Sequence, residues 1–146
     1  MGVSASLNFC IKEYSVVDIL ETLLSTGWTL NDNGHISFSL AADDYAIQTI
    51  DWTNDNDGIK YLKSKTHISQ IQTVCITWKN TNIGCTILAF NSDIICFQLN
   101  INRQTMTLGK KEITNFNWYL EKILPVFWGN STNNYIEQIY WEQWGV

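Results

Sequence analysis

Two stretches of the chain repeat their apolar residues at helical spacing, and most of the remainder alternates. After Ser15, the residues Val16, Ile19, Leu20, Leu23 and Leu24 fall at i, i+3, i+4, i+7 and i+8, the stripe of an amphipathic helix. Ser15 is a good N-cap, Asp18 and Glu21 lie near the positive end of the helix dipole, and Gly27 is placed to stop the helix. A second stripe, Phe116, Tyr119, Leu120, Ile123, Leu124 and Phe127, follows Thr114 and Asn115 as candidate caps. Pro125 is expected to kink its last turn and Gly129 to end it. Between these helices, "HISFSL" sends Ile36, Phe38 and Leu40 one way and His35, Ser37 and Ser39 the other, after the turn residues "NDNGH". "AADD" makes the next turn and "YAIQTIDW" the second strand of a hairpin.

The runs "QTVCITWKN", "IGCTILAF" and "IICFQLNI" read as a meander, with "RQTMTL" as a short edge strand. "ASLNFCI" near the start and "YIEQIYWEQW" at the end add two more strands. In the latter, alternation puts Tyr135, Ile139 and Trp141 on one face and Ile136, Tyr140 and Trp144 on the other. The expected class is α+β: one domain over residues 1–146, an antiparallel sheet of about five to seven strands with two main helices packed on it and a short helix "GIKYLKS" capped by Asp55 or Asp57.

Composition narrows the class. Seven Trp, six Tyr and six Phe in 146 residues are far more than a disordered acidic tail carries, so a packed core is expected. No apolar run approaches the ~18 residues of a membrane span, and the start lacks the basic and long apolar regions of a secretory signal. The expectation is therefore a cytoplasmic protein without membrane attachment. Gly2 and Ser6 meet a minimal myristoylation pattern, but no polybasic second signal accompanies them. Cys10, Cys75, Cys85 and Cys96 have no zinc-ligand spacing and read as small apolar residues in a reducing compartment.

Charge changes the picture more than composition does. Residues 1–57 carry nine acids against Lys12, a balance of −8, whereas residues 58–146 carry five acids against eight bases, a balance of +3. Asp43, Asp44, Asp51, Asp55 and Asp57 lie within fifteen residues that contain no cation, and Trp52 sits among them. Such a stretch repels phosphate backbones, so direct nucleic-acid binding is not expected, and it attracts a basic protein. As a calcium loop it fails: with Gly58 at position six, Thr53 falls at position one and Ser64 at position twelve, where the glutamate clamp belongs. As a catalytic carboxylate pair it lacks the apolar surroundings that raise a pKa. His35 and His67 stand apart from any metal or triad spacing, and there is no Gly-rich phosphate loop. No metal, cofactor or enzymatic activity is expected.

The segment "CFQLNINRQTMTLGKKEITNFNWYLEKILPVF" together with "IEQIYWEQW" resembles the small acidic immunity proteins encoded beside bacterial polymorphic and contact-dependent growth-inhibition toxins. That resemblance implies a protein that neutralises a cognate toxin domain, often a basic nuclease, by occluding its active site, as a monomer that forms a heterodimer with the toxin. The partner-binding residues expected from the charge map are Asp43, Asp44, Asp51, Trp52, Asp55 and Asp57. Two alternatives stand beside it: a small α+β ligand-binding domain or enzyme with an aromatic-lined pocket, and an adaptor that self-associates through its aromatic last strand.

Overall fold

The computed structural model describes residues 3–12, 14–44, 46–89, 93–128 and 136–145. Gly2, Tyr45, the Gly129 helix stop and Tyr135 lie outside them. In chain order the elements are β1 (Ser4–Ile11), α1 (Val16–Thr26), β2 (Trp28–Thr29), β3 (His35–Leu40), β4 (Ile47–Asp51), α2 (Asp55–Thr66), β5 (Ile71–Trp78), β6 (Gly84–Leu88), β7 (Ile94–Ile101), β8 (Thr105–Leu108), β9 (Lys111–Thr114), α3 (Phe116–Trp128) and β10 (Ile136–Trp144). The α+β class holds. The main sheet is antiparallel in the order β10-β1-β7-β6-β5-β3-β4, with the two-residue β2 paired beside β5, so it is larger than expected.

The strands from β1 through β7 that make the body of the sheet bury alternate residues on one face. Ala5, Leu7 and Phe9 on β1, Ile36 and Phe38 on β3, Val74 and Ile76 on β5, Cys85 and Ile87 on β6, and Ile95, Phe97 and Leu99 on β7 are buried. Helices cover this face: Phe127 of α3 stacks on Phe9 with ring centroids 4.7 Å apart, and Tyr61 of α2 meets Phe38 edge-on. α1 lies between α2 and α3, touching both. Alternate positions such as Ser37, Thr73, Cys75, Thr86, Gln98 and Asn8 make the opposite face. It is small and uncharged at its centre, as a sheet with helices on one side requires.

α1 follows its sequence signals. The Ser15 hydroxyl accepts from the Asp18 N–H, a cap contributing about 1 kcal/mol, and Gly27 ends the helix at φ 127°. At the turn before β3, Asn33 and Gly34 both have positive φ, which Asn and Gly tolerate. α3 is capped by Asn115, whose side-chain oxygen accepts from the Trp118 N–H. The Thr114 hydroxyl is taken up by Arg103 instead.

Three expectations are corrected. α2 is a full helix of 12 residues, one longer than α1, and its N-cap is Asn54, accepting from the Asp57 N–H at 2.8 Å. Asp55 and Asp57 stand in its first turn. β8 does not extend the sheet; it pairs with β9 in a separate hairpin. On β10, Ile136 shares the helix-side face with Ile139 and Trp141, because the register against β1 shifts between Cys10 and Ile11 and inserts one extra residue, Glu137. Tyr140 and Trp144 stay on the open face, opposite Asn8 and Ser4.

Candidate interaction surface

The acidic residues read from the sequence do not form one cluster. Asp43 closes a short 3-10 turn after β3 and Asp44 follows it in the left-handed conformation, φ 51°. β4 then runs four residue steps from Ile47 to Asp51, about 13 Å at strand rise. Asp43 and Asp44 thus flank one end of β4, and Asp51 with Asp57 the other. All four are exposed. Asp43 accepts a hydrogen bond from the Gln48 amide, Asp57 from the Asn54 amide at 3.0 Å, and Asp51 lies 3.6 Å from His35 Nδ1 across the β3–β4 pair. Among the described residues, none of the four is paired with a lysine or arginine. Lysine-carboxylate pairs form elsewhere, between Lys12 and Glu137 and between Lys63 and Glu21.

Asp55 is different in kind. Its Oδ1 accepts from the Thr29 hydroxyl at 2.9 Å, the Leu30 N–H at 3.0 Å and the Trp52 indole N–H at 2.9 Å. One carboxylate oxygen therefore joins the β2–β3 connection, the exit from β4 and the first turn of α2. Trp52 is held half-buried against the core by that bond. Both residues face inward to the fold. The sequence signal that identifies them is the spacing Trp-x-x-Asp, which lets an indole N–H reach back to a helix's first carboxylate; the two partners near residue 30 carry no local signal.

The stretch with the outline of a calcium loop is thus the end of β4 and the start of α2. Among the described residues, no three His, Cys, Asp or Glu side chains are grouped to hold a metal ion. No described helix is long and apolar enough to cross a membrane.

The surplus aromatics pack in the interior and at its rim. Trp28, 1% exposed, meets Trp78 and Trp118 edge-on and donates its indole N–H to the Lys122 carbonyl at 3.0 Å. The Lys122 ammonium sits over Trp118, 4.1 Å from the ring centroid, closing that cluster from outside. A cavity of about 390 Å³ opens instead at the N-terminus of α1, lined by Tyr14, Val17, Ala41, Thr66, Gln72 and Ala89 among others. Its walls are aliphatic and polar, with Tyr14 the one aromatic among the described residues. Gln72 Oε1 is buried there without a hydrogen-bond partner among the described residues.

Tyr14 donates its phenol to the Ile94 carbonyl at 2.7 Å. Burial, reinforced by the Asp93 carboxylate, pushes its pKa from the ordinary 10 up to about 12. The folded chain therefore holds this proton more tightly than the unfolded chain. The associated stability is complete below pH 10 and is lost as pH rises through about 12. Cys96, raised by burial from the ordinary 9 to about 11, adds a loss that begins earlier, above pH 9. Urea midpoints should fall steeply between pH 10 and 12, and Tyr14→Phe should flatten part of that fall. Identical slopes in wild type and variant would assign the loss elsewhere.

Comparison with known protein families, curated proteins and solved structures gave no match to this chain.

Proposed function

We propose that this chain is an immunity-type inhibitor that binds a basic toxin domain and occludes its active site. The observation that carries the reading is the set of exposed carboxylates at Asp43, Asp44, Asp51 and Asp57, none neutralised by a lysine or arginine among the described residues. Each loses little hydration until a partner arrives, so their field is free to steer a cationic surface and then to bond with it. On a nuclease, carboxylates in this position would occupy the places of substrate phosphates. The resemblance of residues 96–127 and 136–144 to toxin-immunity proteins supports the same reading. The interior packing of Trp28, Trp78 and Trp118 leaves the rival picture, an aromatic-lined ligand pocket, without those residues.

The test is binding to the product of the gene beside this one. A one-to-one complex is expected, with an association rate that drops as salt rises. Replacing Asp43, Asp44, Asp51 and Asp57 by lysine should weaken it by at least roughly a hundredfold, at ~1 kcal/mol or more per lost charge contact. Asp55 is left intact in this variant because it holds the fold. No complex at micromolar concentrations, or a complex indifferent to the four reversals, would overturn the proposal.

A further inference from the structure

We infer that the free edge of β4 is the docking element, and that it takes a basic, extended segment of the partner as an added antiparallel strand. The inference rests on the inhibitor reading and specifies how that partner is held.

β4 is the last strand of the sheet. Which of its backbone groups are free follows from the ladder. The Trp52 N–H donates to the Gly34 carbonyl, and the His35 N–H turns away from β4 to the Asp32 carbonyl. Successive residues of a strand point their N–H and C=O groups in opposite directions. With an unbroken register from His35↔Asp51 to Ser39↔Ile47, Gln48 and Ile50 face β3, and Ile47, Thr49 and Asp51 present their N–H and C=O groups outward. No backbone partner meets those three residues among the described residues.

Edges of this kind are usually blunted by lysine, proline, a bulge or a covering element. Among the described residues β4 has none of these: it holds no lysine or proline, its register has no shift, and Ile47 is 75% exposed. What it does have is acid at both ends, Asp43 and Asp44 before it and Asp51 at its close. That arrangement decides between occupants. In a second copy paired antiparallel about Thr49, the Asp51 of each chain would approach the Asp43–Asp44 end of the other, setting like charges together. Self-pairing is disfavoured, while a strand with cations near its two ends meets opposite charge at each. Between them it would place an apolar side chain beside Ile47 on the open face. Backbone bonds then supply affinity, and the flanking cations supply choice of partner.

The probe is a synthetic lysine-flanked peptide of alternating threonine and valine, with a counterpart N-methylated at alternate amides so that it cannot pair. Amide exchange is read residue by residue. The unmodified peptide should protect the Ile47, Thr49 and Asp51 amides, and the N-methylated one should bind roughly tenfold more weakly or worse, since two or more backbone bonds are lost. Thr49→Pro removes one outward donor and no bond to β3, and should weaken binding about five- to tenfold. Equal binding of both peptides, no binding at millimolar peptide, or protection elsewhere on the protein overturns strand addition. The two readings separate cleanly. If charge reversal weakens the complex with the neighbouring gene's product but Thr49→Pro does not, strand addition fails and the inhibitor stands. If no complex forms, the inhibitor itself fails.

Discussion

Asp55→Ala should lower the unfolding free energy by about 3–5 kcal/mol, a large share of the stability of an ordinary domain. The magnitude follows from counting donors. The Thr29 hydroxyl, the Leu30 N–H and the Trp52 indole N–H all converge on one carboxylate oxygen, in a site that is half-buried. Each donor stranded by truncation costs about 1–3 kcal/mol, with the lower part of that range applying where water can enter. Asp55→Asn keeps an acceptor oxygen and forfeits its charge, so it should cost about half as much. Urea unfolding followed by tryptophan fluorescence measures both, and an alanine variant within about 1 kcal/mol of wild type would remove Asp55 from this role. The consequence reaches function, because the same bonds fix the exit of β4 and the start of α2, between which Asp51 and Asp57 are displayed. A loss of partner binding in an Asp55 variant would report a disturbed surface, and so does not count as evidence of contact at Asp55.

What the sequence disclosed, and what it hid, divides by the range of the interactions involved. α1 was readable because Ser15, the apolar stripe and Gly27 all act within a few residues of each other. The hairpin of β3 and β4, and the meander of β5, β6 and β7, were readable for the same reason: turn residues bound runs whose alternation shows which face is buried. Only the C-terminal part of α2 has a local signal. "DNDG" has turn chemistry, and its becoming a helical first turn depends on Asn54 as cap and on Asp55 reaching residues twenty-five or more positions back. The face of Ile136 is hidden in the sequence because only the pairing with β1 shows the extra residue at Glu137. The acidic surface follows the same rule. Exposure of Asp43, Asp44, Asp51 and Asp57 was foreseen from polar surroundings. Their separation into two groups was not, because the strand that divides them had to be laid out in space, and Asp55 looked like its neighbours until its distant donors were known.

Gly84→Ala should be the most damaging single methyl that can be added to this sheet, costing about 3 kcal/mol or more. Gly84 opens β6 opposite Thr77, beside a register shift against β7. A Cβ there would lie 2.1 Å from the Ile76 carbonyl oxygen and 3.0 Å from the Thr77 Cα. Both obstacles are strand backbone, so no rotamer change relieves them. β5 and β6 must move apart, and with them Val74, Ile76, Cys85 and Ile87, all fully buried. Gly109→Ala is the informative contrast. At φ 64° it strains the chain in the β8–β9 turn, yet its Cβ meets nothing within 4 Å, so the cost should stay near 1 kcal/mol. One substitution is a collision without backbone strain and the other is strain without a collision. Thermal and urea unfolding of the pair therefore tests whether close approach of β5 and β6 is what demands glycine at the centre of this sheet. Equal costs, or a larger one at Gly109, would show that it is not.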